Sequence, residues 1–255
     1  MIYMNLLRKT LILGLLTLSI TVSHAQTGSN TSETGRNLLL QAVQYCGSAE
    51  AFKSLKALQV QATSKLHQAA TPIEVKTDRI YVFPTKVITK IFVTGQQAAE
   101  IINGDKAFHV LNGVRLELSK AETRRMRMLQ WAELPFLLSQ ANDPTLKVDF
   151  AGTSTVEDRA VNVVLILPPG EKEVVQLYLD AESGKPITLI FVDQGNPQNP
   201  VGYWTYRDWK KVGNFQFPHK MTLYANDKTV QETQWDAVSI NPDVDENIFL
   251  GQLDE

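Results

Sequence analysis

From residue 59 to residue 240 the chain is a run of short segments in which apolar and polar side chains alternate, joined mostly by links of hairpin length. Val60, Ala62, Ser64 and Leu66 fall on one face of the first, with Gln59, Gln61, Thr63 and Lys65 on the other. Further strands are expected at 73–83, 86–94, 98–102, 106–110 and 114–118. After one interruption they resume at 146–151, 160–167, 173–180, 186–193, 202–212, 220–225 and 229–240. Asn103-Gly104 and Asn112-Gly113 supply the positive φ values of tight hairpins, so the meander is antiparallel. Strands and helices do not alternate, which disfavours a doubly wound fold. The expected class is α+β, mainly β: a strongly curved antiparallel sheet wrapping helical segments.

The interruption, residues 119–140, is the one long helical pattern in the chain. Ser119 and Glu122 stand in the spacing of a capping box, and Met126, Leu129, Leu134, Leu137 and Leu138 then recur near helical spacing. Pro135 cannot continue a helix, so two pieces are expected with a break near Glu133. Burying the five apolar side chains would contribute roughly 7–15 kcal/mol before entropy is subtracted. Arg124, Arg125 and Arg127 crowd the first turns, where they oppose the macrodipole. That hints at partners elsewhere, although a local pair with Glu122 is an equal reading. A plain core helix would carry the same stripe as a movable one. Ahead of the sheet, Leu38, Leu39, Ala42 and Val43 mark an N-terminal helix, and Ser48 caps a short second one.

Several stretches of the second half bear on the site. Residues 160–167 leave almost no polar face, which suits a strand covered on both sides. Residues 229–234 read as an exposed margin of the sheet, 151–155 as a turn, and 243–246 as a solvated terminal loop, with no helix in this half. By alternation Trp204 and Tyr206 share one face of their strand and Trp209 the other.

The first 25 residues have the parts of a secretory signal peptide: Arg8 and Lys9, an apolar run, and Ser23-His24-Ala25 before the cut. The expected organisation is a signal peptide over 1–25, a flexible leader over 26–32 and one domain over 33–255. Twenty-five Lys and Arg against 27 Asp and Glu give a net charge of −2, and removal of Arg8 and Lys9 makes the balance more acidic. No clustered basic face for nucleic acid is present. Cys46 is the single cysteine, so no internal disulfide forms, and it reads as a small buried hydrophobe.

Catalytic patterns are missing. His67, His109 and His219, the histidines past the leader, have no second histidine at metal-ligand spacing, and there is no G-x-S-x-G elbow or phosphate-binding glycine loop. No catalytic residue, metal or cofactor is therefore assigned.

The order of parts resembles the LolA/LolB-like carrier superfamily, in particular its exported bacterial relatives. The matching segments are AVQYCGSAEAFKSLKAL, the PTK turn, INGDKAFHVLNG, the helix after LELSKAE, LYLDAESGKP, YRDWKKVGNFQFPH and the closing NPDVDENIF. The resemblance spans nearly the whole chain past the leader. It implies an unclosed antiparallel barrel, a helical lid over 119–140, and a hydrophobic cavity that accepts acyl chains of lipoproteins or other lipids in the periplasm. In the best-known carriers an arginine soon after the Pro-x-Lys turn helps hold the lid; this chain has Val87 and Ile88 there. The lining expected on that basis is Ile80, Val82, Ile91, Val93, Leu177, Leu179, Leu189, Phe191 and Tyr206, with Met126, Leu129, Leu134, Leu137 and Leu138 on the lid. Such a protein is a periplasmic, monomeric, non-enzymatic carrier of a lipid or acyl chain. The alternatives are an envelope sensor or protein-interaction domain of the same fold, and, more distantly, a hydrolase using His109 or His219.

Overall fold

The computed structural model describes residues 30–67, 71–192, 200–225 and 227–251. The signal peptide and residues 26–29 of the leader lie outside the described residues. Helix α1, Asn30–Cys46, begins inside the stretch read as leader, so residues 30–32 belong to the fold. It is followed by α2, Ala49–Ser54, capped by Ser48, whose hydroxyl accepts from the Ala51 amide at 3.0 Å.

Thirteen strands form one antiparallel sheet. They are β1 Ala57–Leu66, β2 Ile73–Val82, β3 Lys86–Val93, β4 Gln96–Asn103, β5 Lys106–Leu111 and β6 Val114–Glu117. The second set is β7 Lys147–Val156, β8 Arg159–Leu167, β9 Val174–Asp180, β10 Pro186–Val192, β11 Pro200–Val212, β12 Phe215–Ala225 and β13 Lys228–Ile240. Asn112 and Gly113, φ 50 and 75, make the β5–β6 hairpin with both central residues left-handed, as its tight turn requires.

The order across the sheet is β6-β5-β4-β3-β2-β1-β13-β12-β11-β10-β9-β8-β7. The chain starts at the middle, meanders out to the β6 edge, and restarts at the opposite edge with β7 before meandering back. The sheet is not closed, and β6 and β7 are its two free edges. The segment joining them, α3 Lys120–Trp131 and α4 Leu134–Ser139, must therefore pass from one edge to the other. That connectivity, more than any propensity, puts the helices over the mouth of the curled sheet.

Side chains from α1, α2, α4 and both halves of the sheet meet in one interior cluster that includes Leu39, Leu58, Leu137, Leu177, Leu189, Phe217 and Trp235. Gly35 lets α1 lie directly on β7, since a Cβ there would stand 2.5 Å from the Asp149 carbonyl carbon. Two smaller clusters sit on the outer face. One gathers Ile80, Ile88, Ile101 and Phe108 beneath Ile248 and Phe249; the other gathers Val161, Val163, Tyr178 and Ile187.

Four readings are corrected here. Residues 229–234 are not a margin: β13 pairs with β1 on one side and β12 on the other, and its polar alternation holds a buried Ser64–Thr233 hydroxyl contact at 2.9 Å. Residues 151–155 lie inside β7, with a register shift at Phe150/Gly152 in place of a turn. The expectation of no helix in the second half is overturned by a 3-10 helix, Glu246–Leu250, docked through the buried Ile248 and Phe249, while Asp243, Asp245 and Glu246 stay exposed. Trp209 packs 6.3 Å from the Tyr206 ring although alternation separates them, because Asp208, φ 52, breaks the regular pleat between the two.

Candidate functional site

The lid starts on the expected capping box: the Glu122 amide donates to Ser119 Oγ at 3.3 Å, and the Ser119 amide donates to Glu122 Oε2 at 3.1 Å. Pro135 sits in the first turn of α4, where its missing N–H costs nothing, and Ala132 and Glu133 are the residues between the two helices. All of Leu134, Pro135, Phe136, Leu137 and Leu138 are buried. They face Leu177, Leu179, Leu189, Phe191 and Tyr206 in the interior cluster, so these eight of the expected lining residues come together.

Elsewhere the expected lining differs. Ile80 and Val82 belong to the outer cluster with Phe249, and Tyr81 takes the inward position between them. Both faces of β2 are covered by apolar groups at this point, so alternation carries no sign of which is inside. Ile91 and Val93 share the inward parity of Tyr81 and Val87 but lie beyond the central cluster, Ile91 half-buried and Val93 buried. On α3, Leu129 is 41% exposed and Met126 half-buried, while Met128 turns inward with the polar Thr123 and Gln130. With two polar groups on its buried side, α3 is too weakly amphipathic for the apolar spacing to set its rotation.

A polar seam ties the lid to the wall. Arg79 of β2 forms an ion pair with Glu133 through Nη1, donates from Nε to Thr89 Oγ1 at 2.8 Å, and approaches the Tyr81 hydroxyl at 3.4 Å. The Tyr81 hydroxyl donates to Glu133 Oε2 at 3.3 Å. Burial, then the Glu133 charge, pushes the Tyr81 phenol above its ordinary range, so it stays a donor. Burial alone would lower the Arg79 pKa; Glu133 and Tyr81 outweigh it and hold the guanidinium charged. Arg79, which precedes the Pro-x-Lys turn, thus stands against the lid, whereas the positions just after that turn hold Val87 and Ile88. Nothing local marks Arg79, because its partner lies 54 residues away.

The lid is also held at its ends. Arg36 of α1 donates to the carbonyls of Ala141, Asp143 and Leu146 at 2.8, 3.2 and 2.6 Å, satisfying backbone groups of the link between α4 and β7. Arg124 reaches Glu171 at 2.7 Å and also Glu173, both beside the β8–β9 turn, and Arg127 reaches Asp105 at the β4–β5 turn at 2.8 Å. Two of the three arginines that oppose the helix dipole, Arg124 and Arg127, are therefore matched by carboxylates on both flanks of the mouth. Both arginines are about half exposed, so each pair is worth little, although Glu171 and Glu173 themselves keep only 14% and 12% of their surface exposed. Arg124→Ala is expected to change global stability by less than about 1 kcal/mol. Its effect should instead appear as faster amide exchange in α3 at low ionic strength, a difference that vanishes near 1 M salt, where the Debye length is about 3 Å.

The remaining reactive groups are placed as follows. The Cys46 thiol is wholly buried, and desolvation raises its pKa far above the ordinary thiol range. His219 is buried beside Trp235 with Nδ1 3.2 Å from the Phe217 carbonyl oxygen, and His109 lies 3.8 Å from Glu100. Neither has a hydroxyl or thiol hydrogen-bonded to it among the described residues. No group of three or more His, Cys, Asp or Glu side chains converges there to hold a metal ion.

An unclosed antiparallel barrel whose two edges are bridged by a helical lid defines the LolA/LolB-like fold, and solved structures agree. A LolA superfamily protein from Nitrosomonas europaea superposes with a TM-score of 0.60 at 12% identity, over 86% of this chain and 97% of that one. A domain named as an outer membrane lipoprotein-sorting protein from Vibrio parahaemolyticus gives 0.59 at 12% identity with the same coverage. A DUF1329 family protein from Desulfovibrio piger gives 0.60 at 8% identity, again over 86% and 97%. No family model matches the sequence, and no curated protein sequence matches it.

Proposed function

We propose that this is a non-enzymatic, exported carrier that binds a lipid or the acyl chain of a lipoprotein in the periplasm, within the space that α4 now fills. The observation that supports it is the contrast in how the lid is held. Its inner surface is entirely apolar along α4, and its charged ties sit at the hinge and the rim, outside that apolar stripe. The fold it shares with a LolA superfamily protein and a lipoprotein-sorting domain is consistent with that use.

Magnitudes make the exchange feasible. Lifting α4 forfeits roughly 1.5–3 kcal/mol per large apolar side chain, while each methylene buried in its place returns about 0.8 kcal/mol. An acyl chain of roughly fifteen carbons therefore nearly balances the lid, which is the condition for loading and release. Native mass spectrometry of protein isolated from the periplasm is the test. A lipid adduct, or a rise in Tm with added lipid, is expected. Absence of both would remove the carrier reading.

A second reading is an envelope sensor or interaction domain in which the interior is a permanent core. Two observations favour it: the interior is closely filled, with Leu137, Leu177 and Leu189 wholly buried, and the free β6 edge exposes Val114 at 60% and Leu116 at 47%. Lipid-insensitive stability together with specific capture of a protein through that edge, lost in Leu116→Lys, would select it.

A further inference from the structure

We propose that the cleft between the β7–β8 hairpin, the start of β10 and the middle of β11 is a second binding site that takes a small oxyanion, a carboxylate or phosphate group. Its outer wall, Thr188 and Thr205, points away from the interior face that carries Leu189 and Trp204, while its inner wall, Tyr206 and Trp209, packs on that interior.

The cleft exists because β10 and β11 diverge. Their pairing runs from Val192 to Thr188 and stops there, while β11 continues to Val212 along β12. The opening encloses about 460 Å³ and is lined by Tyr45, Arg159, Lys185, Thr188, Thr205 and Trp209 among others. That volume lies in the range of small-molecule sites.

Its polar groups are unusual in having nothing to bind. Thr188 Oγ1, Thr205 Oγ1, the Tyr206 hydroxyl and Trp209 Nε1 are buried and lack a hydrogen-bond partner, and all four belong to residues of this one cleft. Thr188 is only 5% exposed. Buried polar side chains are nearly always paired, so four orphans at one place point to an absent partner. Trp209 Nε1 can only donate, so that partner must bring an acceptor.

The charges select its sign. The carboxylates of the cleft are already taken, Glu157 by Arg207 and Asp208 by Lys210 at 3.2 Å. Lys185 and Arg159 have no carboxylate within ion-pair distance among the described residues. The Lys185 ammonium lies 5.5 Å from the centre of the Trp209 ring and 6.0 Å from that of Tyr45. Burial, then Arg159, lowers its pKa, with Asp180 opposing. An incoming oxyanion would answer the two cations and the donors together.

Isothermal titration calorimetry of the purified full chain with inorganic phosphate, succinate and dihexanoyl phosphatidic acid tests the site. Saturable binding of at least one is expected, weakened at least about tenfold in Lys185→Gln and in Thr188→Val. Thr188→Val should melt no lower than the unaltered protein, since it removes an unpaired buried hydroxyl. If Lys185→Gln does not fold, Arg159→Gln, an exposed residue of the same cleft, is expected to show the same loss. Binding of phosphatidic acid alone would identify a lipid headgroup, and binding of phosphate or succinate a free anion. Saturation by none of the three, or equal affinity in the variants, would overturn the proposal, while leaving the lidded interior and its lipid test untouched.

Discussion

Leu137→Ala is expected to lower the unfolding free energy by about 2–5 kcal/mol, whereas Leu129→Ala should change it by less than about 0.5 kcal/mol. Both residues lie on the stripe that helical spacing marks as apolar, yet Leu137 has no exposed surface and Leu129 is 41% exposed. Truncating Leu137 removes three carbon atoms' worth of packing against an interior that includes Leu177, Leu179 and Leu189, and the surrounding strands are held too firmly by their ladders to collapse into the gap. For a domain of this size the loss corresponds to a fall in Tm of roughly 4–20 °C, at about 2–4 °C per kcal/mol. Urea unfolding followed by tryptophan fluorescence reads it directly. Equal effects at the two positions would mean that α3 and α4 share the packed face. A loss at Leu137 below about 1 kcal/mol would mean that α4 spends much of its time away from the wall.

The sheet was legible because its signals are local and repeated. Alternation located most strands, and dipeptides such as Asn112-Gly113 located turns with a stated backbone geometry. The break of the lid followed from Pro135 alone. Inward and outward faces were legible where polar residues interrupt the outer one, as Gln176 and Asp180 do in β9. Leu177, Leu179, Leu189 and Phe191, expected in the lining, do face the interior, whereas Ile80 and Val82, expected there as well, face outward, because the 3-10 helix carrying Ile248 and Phe249 returns from the C-terminal end to cover the outside of β2. The central position of β13 escaped for a related reason. Its buried Thr233 is paired with Ser64, so a polar alternation there reflects internal hydrogen bonding and not solvent.

What sequence pattern could not reach is the contact between distant charges. Arg79 and Glu133 are each unremarkable in their own segments, one charged residue in a strand and one at a helix junction. Only the passage of the lid from the β6 edge to the β7 edge brings them together. The same holds for Arg36, whose three carbonyl partners lie more than a hundred positions further on.

The Arg79–Glu133 pair carries the second large effect. Glu133→Ala is expected to destabilise the protein by about 2–4 kcal/mol at neutral pH, below the upper end for a fully buried pair because each side chain keeps roughly 30% of its surface exposed. The loss arises less from the missing attraction than from what remains: a guanidinium held among Tyr81, Thr89 and the lid, with its carboxylate gone. Arg79→Met, by the same logic, strands the Glu133 carboxylate beside the Tyr81 hydroxyl and should cost a comparable amount. The double variant Arg79→Met, Glu133→Ala leaves neither charge behind, so it should be more stable than the sum of the two losses by about 1–3 kcal/mol. Tyr81→Phe, which removes one hydrogen bond and no charge, should cost only about 0.5–1.5 kcal/mol. The pair sits at the hinge between α3 and α4, so breaking it should also free the lid, seen as faster amide exchange in α3 and, if the interior takes up lipid, as faster loading. Strict additivity of the two single substitutions would show that the pair does not couple lid to wall, and the hinge would then have to be sought in Arg36 and the rim arginines.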